Sequence, residues 1–252
     1  MSEETNIMAG LETDASIEQE TDSLGGFQVL NSDLYNCMIE SCFLTVSQGG
    51  ARAFNLRAKT LEKKSIQQQF WMTSGTAKGC KNHYVGKDGT KHYLPGFNMA
   101  NAICVLTLDK EISKLSCEAG VAEMFGEKVK VDYLPELAGK PITLGVIKQI
   151  VDKRAKNDVT GEYEPTGDTR EENEVDKVFR AADGLTTTEI RGGLTEAKFK
   201  EQWLDKWKDE VKDKSTKVEA GVAAPAAGAP VQQTQAVGAA VPPADPAAPL
   251  FA

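Results

Sequence analysis

Basic and aromatic side chains that could bind a ligand are concentrated between positions 51 and 97. This segment has nine Lys and Arg residues against two acidic residues, a net charge of +7, whereas the whole chain carries −8. Cationic side chains bind phosphate groups, and flat rings stack on unpaired bases. The pattern therefore predicts a surface for a single-stranded nucleic acid. The expected contact residues are Arg52, Arg57, Lys59, Trp71, Lys78, Lys81, Tyr84, Lys87, Lys91 and Tyr93.

The same segment has a simpler interpretation. Strands that alternate Lys with apolar residues often form only a solvated face over a core. Phe54, Phe70 and Phe97 fit a core better than a ligand surface. Composition alone therefore leaves both interpretations open.

Four other side chains in or near this segment could bind zinc. Cys80, His83, His92 and Cys104 are ligands of suitable type. The spacing after His83 matches no recognised zinc-finger pattern, and a hairpin with stacking histidines explains His83 and His92 equally well. We therefore expect no metal site, and these four residues are the candidates if one exists.

Enzymatic chemistry finds little support in the sequence. It contains no phosphate-binding GxxxxGK[ST] loop, no GxGxxG, no HExxH and no GxSxG, and it has only two histidines. The carboxylates of residues 157–176 could bind a divalent metal as in a nuclease, but a dense acidic run on a loop is usually solvated charge. We expect no catalytic residues and no cofactor.

The predicted elements that position the basic segment are mainly strands. Residues 34–46, 51–60 and 65–73 read as a three-stranded antiparallel meander, in which Phe54, Leu56 and Ala58 share one face while Arg57 and Lys59 share the other. The run NHYVGKDGTKHY predicts a protruding β-hairpin.

Helices and two further strands follow the hairpin in the prediction. Residues 97–108 predict a buried helix, CEAGVAEMFG a second short helix, and residues 141–154 a long strand. Residues 157–176, with net charge −7, predict an exposed loop, and DKVFRAAD the closing strand. TTTEIRGG predicts a short helix. An amphipathic helix begins after Thr195 as its N-cap, with Phe199, Trp203, Leu204 and Trp207 on one stripe.

The order of these elements predicts an OB-fold-like five-stranded barrel. A helix inserted between the third and fourth strands is typical of that fold, whose outer face and loops bind oligonucleotides. The expected fold class is therefore mainly β with helical insertions, a C-terminal amphipathic helix and disordered termini.

Charge and composition divide the chain into three parts. Residues 1–26 carry −7 without a basic residue and predict a flexible acidic arm. Residues 27–214 sum to zero and form the expected binding domain. Residues 215–252, rich in Ala, Pro and Gly, predict a disordered tail. The chain has no apolar run of membrane-spanning length, no basic secretory leader and five widely spaced cysteines, so we expect a soluble intracellular protein with reduced thiols.

Several stretches resemble single-stranded DNA-binding proteins encoded by tailed bacteriophages. The resemblance covers about residues 20–205 and is carried by TDSLGGF, AFNLRAKT, QQFWMTSGTAKGCKNHYVGKDGTKHYLPGFNMANAICVL and TREENEVDKVFRAADGLTTTEIR. It implies an OB-fold without enzymatic activity that coats single strands during phage DNA replication, recombination and repair. The implied location is the cytoplasm of the infected bacterial host.

The resemblance also suggests partners. Beyond single-stranded DNA, the expected partners are phage replication or host transcription proteins. We expect no association with a membrane. Such proteins commonly end in an acidic tail with a terminal aromatic residue, but here Phe251 is accompanied by Asp245 as the only late acid. The alternative is a phage structural or scaffolding protein whose +7 segment pairs with its own −7 loop, residues 157–176.

Overall fold

The computed structural model describes residues 29–124, 126–157, 161 and 163–216. In this part the chain is mainly β, with one large, mostly antiparallel sheet and few helices, as the sequence predicts. The strands are β1 (Asp33–Val46), β2 (Arg52–Thr60), β3 (Ser65–Trp71), β4 (His83–Val85), β5 (Lys91–Tyr93), β6 (Glu118–Met124), β7 (Glu127–Tyr133), β8 (Pro141–Lys156), β9 (Tyr163–Phe179) and β10 (Val211–Asp213). The α-helices are α1 (Pro95–Leu108), α2 (Thr187–Arg191) and α3 (Lys198–Trp207).

The predicted meander is confirmed by β1, β2 and β3. β2 pairs antiparallel with β1 on one edge and with β3 on the other. Phe54, Leu56 and Ala58 are buried in the main core, while Arg57 and Lys59 lie on the opposite face. This follows from the alternation of side chains along a strand.

β8 extends the sheet on the other edge of β1 and is covered on both faces. Ile142, Leu144 and Val146 contribute to the main core, whereas Ile147 packs with Trp203 of α3 on the other face. A strand covered on both faces needs apolar side chains at both alternating sets of positions. The predicted long strand is therefore confirmed.

α1 confirms the predicted buried helix and packs on the main core. Its buried residues are Ala100, Ile103, Cys104 and Leu106. The first turn of α1 lies close to the end of β3, because a Cβ added to Gly96 would be 2.1 Å from the carbonyl oxygen of Trp71. The start of α1 therefore packs directly against the backbone at the end of β3.

The sheet is not closed into a barrel. β3 pairs only with β2 and β9 only with β8 within the described residues. A side chain bridges the two edges, since the backbone N–H of Val175 donates to Oε1 of Gln68 at 3.3 Å. The side chain of Asn173, also on β9, holds the backbone of Leu30. The N–H of Leu30 donates to Oδ1 of Asn173, and Nδ2 of Asn173 donates to the carbonyl of Leu30, each at 2.8 Å.

The short helix predicted for CEAGVAEMFG is wrong, because residues 118–124 form β6. This strand pairs antiparallel along its length with β7, and β7 joins β1 at Phe43 and Leu44. Ala122 and Val131 pack on Phe43 in a small cluster of their own. Pairing with β7 and packing on Phe43, which lies far away in the sequence, override the local helical tendency of Ala and Glu.

The exposed loop predicted for residues 157–176 is also wrong over most of its length. Residues 163–179 form β9, which pairs with β8 in a long antiparallel ribbon. At its exposed end the ribbon has no apolar face, and the backbone ladder continues there to the pair Lys156–Tyr163. Nearer the rest of the sheet, the ion pair Lys148–Glu171 also joins the two strands. Of the predicted closing strand, DKVFRAAD, only residues 176–179 belong to β9, and residues 180–183 form the turn that follows it.

α2 agrees with the predicted short helix and begins with a capping box between Thr186 and Glu189. α3 begins at Lys198, so the prediction that Thr195 is its N-cap is wrong. Glu189 supplies the missing acceptor, since its Oε1 accepts from the N–H of Phe199 at 2.8 Å. Burial raises the pKa of Glu189, but the hydrogen bonds from Phe199 and Thr186 outweigh it and hold that pKa below its usual value.

The predicted acidic arm, residues 1–26, lies outside the described residues. The predicted Ala/Pro/Gly-rich tail, residues 215–252, also lies outside the described residues, except for residues 215 and 216. Of these, Thr216 donates from its N–H and hydroxyl to the carboxylate of Asp152 on β8.

Candidate nucleic-acid interface

The predicted hairpin is formed by β4 and β5. His83 lies opposite Tyr93 and Tyr84 lies opposite His92. In the connecting turn the carboxylate of Asp88 accepts from the hydroxyl and the N–H of Thr90, at 2.8 and 3.0 Å. These bonds lower the pKa of Asp88 and explain why this short segment turns here.

The two tyrosines of the hairpin point to opposite faces, because they belong to neighbouring cross-strand pairs of the ladder and side chains alternate between the faces. Tyr84 shares its face with His92, and their ring centroids are 5.5 Å apart. Tyr93 packs on Phe97 of α1, with centroids 4.9 Å apart. One face of the hairpin is therefore joined to the helix, while the other carries a separate pair of rings.

Four lysines, which we call the lysine cluster, lie in this hairpin and in the short segment before it. All four are exposed, and none forms an ion pair with another described residue. The segment before β4 is fixed by reciprocal bonds between Ser74 and Lys81, and the N–H of Thr76 donates to the carbonyl of Gly49. The cluster consists of Lys78, Lys81, Lys87 and Lys91.

The predicted cations of β2 have a different environment. The guanidinium of Arg57 lies 5.1 Å from the ring centre of Phe43 and donates to the carbonyl of Glu123 in β6. Lys59 forms an ion pair with Glu40 at 2.7 Å. Arg57 and Lys59 are thus already engaged within the protein.

Arg52 and Trp71 lie together at the other end of the β2–β3 pair. Arg52 begins β2 and is exposed, and Trp71 ends β3 opposite Ala53 with a half-buried side chain. The predicted contact residues therefore form three groups: the hairpin with its lysine cluster, the engaged cations of β2, and the Arg52–Trp71 end.

A row of polar side chains that we did not predict crosses β1, β2 and β3 beside Trp71. Nδ2 of Asn55 donates to Oγ1 of Thr45, and Nε2 of Gln69 donates to Oδ1 of Asn55, each at 3.0 Å. The signal was an asparagine inside the otherwise apolar run AFNL. Its partners could not be read from the sequence, because they depend on strand register.

A second basic group was also missed, on the β8–β9 ribbon. Arg154 lies opposite Pro165, and Lys156 lies opposite Tyr163, so these residues share one face. Lys153 and Arg154 are exposed as well. The signal was the run DKRAK, which gains an aromatic neighbour only once residues 163–179 are recognised as a strand.

The candidate zinc ligands do not form a cluster. Cys104 is fully buried in the main core, and burial raises the pKa of its thiol to about 12, which disfavours the thiolate that binds zinc. Nδ1 of His83 contacts Oδ1 of Asn82 at 3.0 Å, and Sγ of Cys80 contacts the carbonyl of Gly50 at 3.4 Å. Within the described residues no three His, Cys, Asp or Glu side chains are placed to hold a metal ion.

The acidic side chains of β9 pair within their own part of the sheet. Glu171 pairs with Lys148, Glu172 with Arg170, and Glu174 with Lys212 of β10. These partners come from β8, β9 and β10 rather than from residues 51–97. The observed pairs therefore differ from those that the scaffolding alternative expects.

Over the residues that the structure describes, no helix has the length and apolar character needed to cross a membrane. The chain matches no protein-family model and no curated protein.

Proposed function

We propose that this protein binds single-stranded DNA with little sequence preference and coats it during phage DNA replication, recombination and repair, in the cytoplasm of the infected host. The observation that carries the proposal is that residues 78–91 combine the exposed lysine cluster with the exposed ring of Tyr84. Exposed cations without protein partners can neutralise phosphates, and an exposed ring can stack on any base.

The resemblance stated above and the order of the elements support the same proposal. The meander β1–β3, then α1, then β8 and β9 follow the strand order of an OB-fold, with Gln68 bridging β3 to β9. The hairpin β6–β7 and β10 are additions to that plan. The proposed interface also includes Tyr93 on the other face of the hairpin, and Arg52 and Trp71 at the end of the β2–β3 pair.

Tryptophan fluorescence tests the proposal. The full-length protein is titrated with oligo-dT and with a duplex of equal length, at several salt concentrations. We expect tighter binding of the single strand, with log K falling against log salt by about 0.7 for each neutralised phosphate. Trp71→Phe should remove much of the signal change. Trp203 is buried and bonded to Asp176, and Trp207 packs beside it in the same cluster, with Lys206 and Lys212 over its ring.

Three results would contradict the proposal. Equal affinity for single strand and duplex would show general attraction to phosphates, and no binding at low salt would leave the scaffolding alternative. Cleavage of the oligonucleotide in Mg²⁺ or Mn²⁺ would favour the nuclease alternative.

A further inference from the structure

We infer that His92 is a base-stacking residue, which together with Tyr84 forms a two-ring platform for one unpaired base. The inference rests on the proposed function and assigns a binding residue to that same site. Tyr84 and His92 lie directly opposite each other in the hairpin ladder, with ring centroids 5.5 Å apart and planes inclined by 33°.

The platform is accessible to a ligand. Tyr84 is 51% exposed and His92 is exposed too, and both lie on the face opposite to the Tyr93–Phe97 contact. That contact joins the hairpin to α1. The hairpin is thus fixed to the core on one side and presents the Tyr84–His92 face on the other. This attachment reduces the entropy lost on binding.

Charged side chains next to the platform suit a nucleotide. Lys87 lies in the turn that joins the two strands, so a phosphate next to a stacked base has a cation within the same hairpin. Lys91 lies opposite Val85 and shares the other face with His83 and Tyr93. The nearby carboxylate of Asp88 is held by Thr90. Stacking requires only a flat ring face, so the platform accepts purines and pyrimidines alike.

His83 provides a matched control for His92. The chain has only two histidines, one on each face of the hairpin. His83 is half-buried and contacts Asn82, whereas His92 is exposed beside Tyr84. A purely structural role for imidazoles in this hairpin would make both residues matter for folding, and neither for contact with DNA.

The first experiment measures the affinity of the full-length protein for a fluorescent oligo-dT. We expect His92→Ala to weaken binding by roughly 5- to 150-fold, the range of one lost base–ring stack. His92→Phe should restore most of the affinity because it keeps a ring, whereas His83→Ala should bind like the wild type. Thermal unfolding checks that each variant is folded.

The second experiment observes the imidazole protons by NMR while oligo-dA is added. Two Hε1 resonances are expected, and the two alanine variants assign them. The His92 resonance should move upfield as an adenine ring stacks on it, and the His83 resonance should move little.

Each outcome decides the question. If the wild type binds but His92→Ala binds equally well, or His92→Phe fails to restore binding, His92 is not a stacking residue while the proposed function stands. Movement of the His83 resonance alone would place the base on the other face and overturn the inference. If the wild type binds no oligonucleotide, the proposed function fails and the inference with it.

Discussion

At the scale of single residues, the candidate interface contains two kinds of cation. Lys87 belongs to the lysine cluster and is exposed, whereas Lys59 forms an ion pair with Glu40. Exposed ion pairs contribute little stability, but a paired ammonium must give up its partner before it binds a phosphate. The members of the predicted set should therefore contribute unequally to binding.

Lys87→Ala should lower the affinity for oligo-dT and reduce the salt slope by about 0.7, because one phosphate contact is lost. Lys59→Ala, the matched variant, should change the slope less. Fluorescence titrations at several salt concentrations measure both. A larger effect of Lys59→Ala would show that the strand follows β2 rather than the hairpin.

Glu136 is a second residue whose environment has a measurable consequence. Hydrogen bonds from Lys110 and from the N–H of Ser116 hold the pKa of its carboxyl at about 2, well below the ordinary 4.5. A carboxyl with a lowered folded-state pKa stabilises the fold above its unfolded-state pKa, and this stabilisation is lost as pH falls through the folded-state value.

Glu136→Gln should therefore lower the free energy of unfolding at pH 7, and the difference from the wild type should shrink between about pH 4.5 and pH 2. Urea unfolding at several pH values measures this. A difference that stays constant with pH would mean that the charge of Glu136 is not involved.

At the scale of elements, the hairpin depends on how α1 meets β3. The ring of Phe97 at the start of α1 packs on Tyr93, and the N–H of Leu94 donates to the carbonyl of Asn82. Gly96 permits the close approach of α1 to the backbone of Trp71. The same junction therefore sets the position of Trp71 and of the hairpin.

Gly96→Ala should lower the free energy of unfolding by about 1–3 kcal/mol, because the added methyl would meet backbone that cannot move freely. Gly49→Ala is the control, since its Cβ would meet only Oγ of Ser47 at 3.9 Å. Urea unfolding compares the two variants. Equal stability of both would show that α1 can move away from β3 without cost.

At the scale of the whole molecule, charge is distributed unevenly along a chain of net charge −8. Residues 1–22 carry −7, residues 51–97 carry +7, and the acidic side chains of β9 pair with β8 and β10. We expect a strongly acidic segment in the same chain to compete with DNA for cations, chiefly at low salt where screening is weak.

Deletion of residues 1–22 should raise the affinity for short oligonucleotides, most strongly below about 50 mM salt. Deletion of residues 217–252 removes a net charge of only −1 and serves as the control. Titrations at low and high salt compare the two truncations. Unchanged affinity and salt slope after the first deletion would show that the N-terminal segment does not compete with DNA.

Elements with a strong local pattern were predicted correctly. Two strands whose own pattern is weak were not, although each pairs with the strand next to it in the chain. The alternation in AFNLRAKT predicted β2, and the Lys-Asp-Gly turn predicted the hairpin. The helix predicted at residues 117–126 failed because β7 pairs with this segment and Phe43 packs beneath it. The loop predicted at residues 157–176 failed because β8 supplies a ladder partner.

The sequence by itself determined the concentration of cations and rings between residues 51 and 97, since charge and residue type need no fold to be counted. It also determined which face of β2 is apolar, because side chains alternate along any strand. Only the tertiary structure decided that Tyr84 and Tyr93 point to opposite faces, that Arg57 is engaged by Phe43 and Glu123, and that Tyr84 shares its face with His92. These facts depend on strand register and on contacts between segments far apart in the chain, which local patterns do not specify.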